Sequence, residues 1–372
     1  MNLKRNGALL GVVAVGAMTL AACGSDNNAG SSTVDTSASE ASCEGKERLS
    51  GAGSSAQKNA MDQFTSSYIA ACQQKGVSVN VAYNPSGSGD GRTQFIADQV
   101  DFAGSDSAIN GEQADLARER CAGNDPWNLP LVFGPVALAY NLDGVDDLVL
   151  SGETIAKIFN GGITRWNDPA IAELNPDAAL PDEEISPISR SDSSGTTDNF
   201  QKYLMAASNG AWTAGAGSDF MGGVGEGAKG SAGVAQAVSS DPGSITYVEI
   251  SFADQQNLPA AQIDTGSGPV ALTLETASKA IEDAAFAGSG TGDMTLDLTS
   301  IYGTNEAGAY PLVLATYEIV CSGGYDAETA AAVKSFLTSA ANEGQQTLGE
   351  QGYVPLPESF REKLDESIAA IG

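Results

Sequence analysis

At 372 residues, 42% of them hydrophobic, the chain can bury a large core and is long enough for two domains. A formal charge of −29 makes nucleic acid and anionic membrane surfaces poor partners, and the complete absence of histidine removes the Ser-His-Asp triad, His-containing zinc sites and most general-base schemes together. The same field repels small anions, so an anion site in this chain has to work by short-range hydrogen bonds.

The N-terminus reads as an export signal. Lys4 and Arg5 form a basic start, Gly7 to Leu20 is small and apolar, and Leu20-Ala21-Ala22-Cys23 closes the segment. In this signal, residues 1–22, the apolar part from Gly7 to Leu20 is too short for a comfortable membrane span. The Leu-Ala-Ala-Cys ending resembles a bacterial lipobox, in which cleavage leaves Cys23 as a lipidated first residue held by acyl chains such as palmitate. Loss of Lys4 and Arg5 takes the charge from −29 to −31. Residues 23–47, rich in Ser, Asn, Asp, Ala and Gly, read as a flexible tether whose root-mean-square span is on the order of 25 Å. Four cysteines remain, Cys43, Cys72, Cys121 and Cys321, and an even number in an exported chain predicts two disulfides with three possible connectivities. Cys43 precedes the first strand and Cys72 ends the first helix, which favours Cys43–Cys72 and Cys121–Cys321. With no CxxC pair and no histidine, a metal site is the lesser reading, and no cofactor is expected.

From Leu49 the pattern alternates strand, loop and helix. Leu49 to Gly53 is a short strand, Gly53-Ser54-Ser55 a tight loop, and Gln57 to Cys72 a helix with Met61, Phe64, Tyr68 and Ile69 on one face. Val77 to Tyr83 alternates as a second strand, the loop Asn84 to Gly91 follows it, and a helix carries Phe95 and Ile96. Val100 to Ala103 is the third strand, Gly104 to Ser107 its loop, and Glu112 to Arg120 a helix. This βαβαβ order predicts a parallel sheet covered by helices. Leu131 to Tyr140 reads as a long strand that leaves the first lobe. Asp168 caps a helix with Pro169 at its first position and Asn175-Pro176 at its end, and Trp166 reads as a packing anchor. Ile185 to Ile188 is a buried strand, Gly215 to Gly233 a glycine-rich loop, and Ile245 to Phe252 a strand. Asn257 to Ser300 carries no clear pattern. Tyr310 to Val320 is a second crossing strand, followed by helices over Ala327 to Glu343 and from Glu358. If both long strands cross, one lobe is inserted into the other across a two-strand hinge, with lobe I at 48–131 and 311–372 and lobe II at 132–310.

The loops matter more than the class. Ser54 and Ser55, Ser88, Asp106, and Arg190 with Ser194, Gly195 and Thr196 all fall just after a strand and just before a helix, the edge where ligands bind in open α/β sheets. The run Ile188 to Thr197 concentrates the signal: a strand delivers Arg190 into a Ser/Gly/Thr loop at a helix start. Unpaired backbone N–H groups, hydroxyls and a guanidinium fork there suit a tetrahedral oxyanion.

Gly51-Ala52-Gly53-Ser54-Ser55, Gly87-Ser88-Gly89, Asp101-Phe102-Ala103-Gly104-Ser105-Asp106, Arg190-Ser191-Asp192-Ser193-Ser194-Gly195-Thr196 and the long Ile158 to Pro176 segment resemble the phosphate-binding subunit of the bacterial phosphate-specific ABC transporter. The resemblance runs from about Leu49 to the C-terminal helix. It implies a two-lobed type II periplasmic-binding-protein fold, α/β, each lobe a mostly parallel sheet covered by helices, with the anion between the lobes. It further implies high-affinity capture of inorganic phosphate outside the cytoplasmic membrane, lipid anchoring, delivery to membrane-embedded permease subunits served by a cytoplasmic ATPase, and no catalysis. The chain is expected to act as a monomer. Another tetrahedral oxyanion, or a secreted phosphatase, is the alternative. Carried over by position, Ser55, the backbone N–H of Ala56, Ser88, Asp106, Arg190, Ser194, Gly195 and Thr196 contact phosphate, while Ser54 and Asp192 support them. Asp106 accepts the proton that phosphate carries and sulfate lacks. Asp90 departs from the family pattern; pairing with Arg92 and weakening of the anion site are both open.

Overall fold

The computed structural model describes residues 41–282, 284–288 and 292–372. The signal segment, Cys23 and residues 23–40 of the tether lie outside the described residues.

β1 (Arg48–Gly53), β2 (Asn80–Asn84) and β3 (Phe102–Ser105) pair in parallel around β1, with α1 (Lys58–Gln74) and α2 (Ser88–Ile96) as the crossovers. α1 forms because Met61, Phe64, Tyr68 and Cys72 recur every three or four residues, and all four are buried. α3 (Gly111–Arg120) leads to β4 (Pro126–Tyr140). After β5 (Val149–Ser151), α4 (Gly152–Phe159) and α5 (Pro169–Leu174), the chain repeats the first pattern. It forms β6 (Ser186–Arg190), α6 (Gly195–Ala207), β7 (Glu226–Ala228), α7 (Gly230–Ser240), β8 (Ser244–Glu249) and α8 (Ile250–Gln255). Short pieces follow: β9 (Gln262–Asp264), β10 (Pro269–Val270), α9 (Leu274–Ile281), β11 (Ala285–Phe286), β12 (Leu296–Asp297) and α10 (Thr299–Tyr302). β13 (Val313–Cys321), α11 (Ala327–Ala341) and α12 (Glu358–Ala369) end the chain.

Eight strands make one sheet in the order β2-β1-β3-β13-β4-β8-β6-β7. Two parallel triples, β2-β1-β3 and β8-β6-β7, therefore flank the antiparallel pair β13 and β4. β4 serves both sides, pairing with β13 over Pro126 to Pro135 and with β8 over Val136 to Tyr140. It begins five residues before the expected Leu131 despite Pro126 and Pro130. The N–H of Asn128, at the same parity, turns away from β13 to the Asp293 carboxylate at 2.7 Å, so those prolines forfeit no ladder bond.

Other boundaries also shift. β2 starts at Asn80 rather than Val77, because Arg48, the first residue of β1, pairs with Asn80 and leaves Val77 without a neighbour. The expected loop Asn84 to Gly91 is half helix: α2 opens at Ser88, and its glycines are required by close packing. A Cβ on Gly91 would lie 2.4 Å from Gly53 Cα, and one on Gly89 would lie 2.0 Å from Ser193 Oγ. The glycine-rich stretch Gly215 to Gly233 is likewise not a plain loop, since β7 and the start of α7 fall within it. Asp168 does cap α5 through the Ala170 N–H at 2.9 Å, and buried Trp166 donates its indole N–H to Gly243 O at 3.0 Å. Cys43–Cys72 and Cys121–Cys321 are both disulfide-bonded.

Candidate functional site

The loops after β1 and β3 and the N-terminus of α2 meet the loops after β6 and β7 and the N-terminus of α6. Contact between the two sides is close: Gly89 N–H donates to Ser193 O at 3.1 Å, and a Cβ on Gly195 would lie 2.5 Å from Asp106 Cβ and 2.6 Å from Ser88 Oγ. Ser54, Ser55, Ala56, Ser88, Asp106, Arg190, Ser194 and Thr196 are all buried there.

Asp106 stands at the centre of the first side. Its Oδ1 accepts from Ser54 Oγ at 2.6 Å and Thr316 Oγ1 at 2.7 Å, and its Oδ2 accepts from Ser88 Oγ at 3.0 Å. A carboxylate offers about four lone-pair directions, so three hydroxyls leave one on Oδ2, the oxygen that faces Gly195. Burial pushes the Asp106 carboxyl above its ordinary value, against the three hydroxyl bonds and the Arg190 charge. Thr316 reaches Asp106 from a bulge in the β13–β4 ladder between Thr316 and Tyr317, an irregularity of the kind that re-aims a side chain.

Arg190 dominates the second side. Its Nε and Nη2 donate to Asp192 Oδ1 at 2.8 Å and Oδ2 at 2.5 Å, a fork-to-fork pair almost out of solvent, and Gly230 N–H holds Asp192 Oδ1 at 2.9 Å. The remaining Nη1 points to Ser231 Oγ at 3.3 Å and Thr196 Oγ1 at 3.5 Å. Burial works against the guanidinium charge, but Asp192 outweighs it and holds Arg190 above its ordinary pKa. Asp192 is held low by the same bonds against its own burial. Tyr247, stacked on Phe200 at 4.1 Å between ring centroids, fixes the strand end: its hydroxyl accepts from Arg190 N–H at 3.2 Å and bonds Thr197 Oγ1 at 2.7 Å. Ser194 caps α6 by accepting from Thr197 N–H at 3.2 Å. Gly195 and Thr196 occupy the first two positions of α6, so their N–H groups have no partner within the helix.

A family model described as a PBP superfamily domain matches residues 27–341. Phosphate-binding protein PstS 3 of Mycobacterium tuberculosis is 49% identical over 375 residues, covering all of both chains. Phosphate-binding protein PstS of Pasteurella multocida is 35% identical over 302 residues, which is 78% of this chain and 82% of the relative. The chain belongs to the PstS family of phosphate-binding proteins. Solved structures agree on the fold. A phosphate-binding protein from Stenotrophomonas maltophilia superposes with a TM-score of 0.67 at 19% identity over 86% of this chain and 93% of that one. A high-affinity periplasmic phosphate-binding protein bound with phosphate gives 0.66 at 21% over 85% and 92%. The architecture is the two-lobed type II periplasmic-binding-protein fold.

Within this PstS-family site, several residues escape the sequence reading. Ser231, at the start of α7, touches Arg190 and also bridges the two sides, its Oγ 3.0 Å from Ser55 Oγ and its N–H donating to the same oxygen at 3.0 Å. The signal was present as Val234, Ala235 and Val238, a buried helical stripe after the Gly-Ser pair. Thr316 and Glu249 lie on strands whose own patterns do not mark them, and Asn199 bonds both Asp106 O at 2.7 Å and Gly195 O at 2.8 Å. Asp90 and Arg92 do not pair. Asp90 is exposed in the first turn of α2 and accepts from Gln94 at 2.6 Å, while Arg92 points the other way to Gln113, Ser105 and Ser218. An acid in the first helical turn is favoured by the dipole, and solvent screens its charge from the site. Ala56 N–H currently donates to Ser54 Oγ at 3.1 Å.

Proposed function

We propose that the chain captures inorganic phosphate outside the cytoplasmic membrane and delivers it to an ABC permease for import, acting by binding alone. Two lobes, 48–131 with 311–372 and 132–310, close on the anion about the strands β4 and β13. Ser55, Ser194, the Ala56, Ser88, Gly195 and Thr196 N–H groups and Arg190 donate to phosphate, while the Ser88 hydroxyl stays on Asp106. Asp106 accepts its proton, Ser54 and Asp192 hold these groups in place, and Ser231 joins the donors. Lipidated Cys23 and the tether keep the monomeric body at the membrane and within reach of the permease. PstS relatives of about half-identical sequence and full coverage support this reading.

The observation that carries it is Asp106: a buried carboxylate with three hydroxyl donors and one free lone pair, facing a helix N-terminus across from Arg190. Such a group accepts from a protonated oxyanion and repels an unprotonated one. Calorimetric titration of a ligand-stripped chain lacking residues 1–23 is expected to show tight phosphate binding with no sulfate response at neutral pH. Asp106→Asn is expected to narrow the phosphate-to-sulfate preference by at least about tenfold, roughly the worth of one charged hydrogen bond. An unchanged preference would show that Asp106 does not select the ligand.

A further inference from the structure

Glu249, the last residue of β8, is buried at 1% exposure beside the anion site. Its Oε1 accepts from Thr196 Oγ1 at 2.6 Å, and its Oε2 has no hydrogen-bond partner. The charged and titratable groups that face it are Asp106 from the loop after β3, Arg190 from β6 and Tyr353 from the C-terminal loop, with the Ser231 hydroxyl of α7 alongside. The Arg190 charge favours an ionised Glu249, but that guanidinium is already committed to Asp192, and no cation among the described residues forms an ion pair with Glu249. Thr196 has a further constraint: a threonine hydroxyl carries one proton, and a proton given to Glu249 cannot be given to an anion.

We propose that Glu249 is carried as a neutral acid that donates its proton to Thr196 Oγ1, freeing the Thr196 hydroxyl to donate to bound phosphate. The 2.6 Å contact suits a hydrogen bond in either direction, and the reversed one lengthens the donor set by one link. Glu249 is thus a positioning residue acting through Thr196, and the inference rests on the phosphate reading above. Burial pushes the Glu249 carboxyl above its ordinary value and the Asp106 charge adds to this, while Thr196, Arg190 and Ser231 oppose it. Loss of the proton in alkaline solution takes the Thr196 donor back and places a second buried negative charge at the site.

The test follows phosphate affinity from mildly acidic to alkaline pH in the wild-type chain, Glu249→Gln and Glu249→Ala, each checked for folding by circular dichroism. Infrared difference spectra are recorded on the phosphate-free proteins. The wild type is expected to lose about tenfold more affinity on the alkaline side than Glu249→Gln, whose amide can donate to Thr196 but cannot ionise. Glu249→Ala, with no donor, is expected to bind about tenfold more weakly at neutral pH, the worth of one hydrogen bond to a charged group. The carbonyl band of a protonated carboxylic acid should be present in the wild type and missing from Glu249→Gln. Parallel affinity profiles, tighter binding by Glu249→Gln at neutral pH, or no band lost would each overturn the assignment. If no form binds phosphate while the band persists, the phosphate reading itself fails and takes the donor role with it.

Discussion

The two parallel triples are topological counterparts, yet they hold opposite kinds of chemistry. β2-β1-β3 presents Asp106, a buried acid met only by neutral hydroxyls, whereas β8-β6-β7 presents Arg190, a buried base locked to Asp192. A paired charge tolerates burial because its partner replaces water, while a lone carboxylate tolerates it only through hydrogen bonds. The difference separates attraction from selection. The Arg190 side offers a guanidinium whose orientation is set before any anion arrives, and the Asp106 side offers the one acceptor that distinguishes a protonated anion from a bare one. The covalent reinforcement is equally one-sided. All four described cysteines join elements around β2-β1-β3: Cys43 ahead of β1, Cys72 in α1, Cys121 after α3 and Cys321 at the end of β13, the strand beside β3.

That asymmetry can be broken bond by bond. Cys121–Cys321 closes a separation of 200 residues and Cys43–Cys72 one of 29. In the chain-entropy account, removing them costs about 5 and about 4 kcal/mol respectively. Double Cys→Ser variants are expected to lose urea stability in that order, with hydrogen exchange rising around β1 and β3 before β6; exchange rising first around β6 would contradict the one-sided reinforcement. The next largest effect tests the other side. Asp192→Ala leaves Arg190 buried without its partner and is expected to destabilise the phosphate-free protein by about 3–5 kcal/mol. Saturating phosphate, itself an anion against the guanidinium, should recover much of that loss. If the variant denatures at the wild-type urea midpoint, the Arg190–Asp192 pair is not what holds this side.

How much of this was legible before folding depends on where the information sits. The strand-loop-helix order around Ser54, Ser88, Asp106 and Arg190 is local, and the structure brings those residues together. Thr316 and Glu249 reach the site only because β13 and β8 lie next to β3 and β6 in the sheet, and single-strand patterns carry no trace of that adjacency. Ser231 was hidden by composition, since glycines required by tight packing look the same as glycines of an open loop. Boundaries failed for a related reason: Val77 alternates correctly with Val79 and Val81 but lacks a partner on β1, so the ladder begins only at Asn80.

The shared strand β13 sharpens the comparison further. Glu318 lies opposite Gly104 in the register, fully buried, with neither carboxylate oxygen hydrogen-bonded. Gln57 Nε2 donates to Tyr83 OH at 3.1 Å, and Tyr83 in turn donates to Ser54 O at 2.9 Å, which leaves the buried Gln57 Oε1 without a partner. Burial, with the Asp106 charge adding to it against Gln57, pushes the Glu318 carboxyl up to about 8. A proton on one Glu318 oxygen would pair that oxygen with Gln57 Oε1. The sign of the consequence follows from proton counting. Between the ordinary value of 4.5 and about 8 the folded state keeps a proton that the unfolded chain has released, so stability is greatest below this window and falls as pH rises through it. One such group contributes a slope of about 1.4 kcal/mol per pH unit. Glu318→Gln cannot ionise, so subtracting its urea stability curve from that of the wild type isolates the group. The difference should favour the wild type least at the alkaline end of the window and level off beyond it. Two parallel curves would show that Glu318 does not hold that extra proton in the folded state.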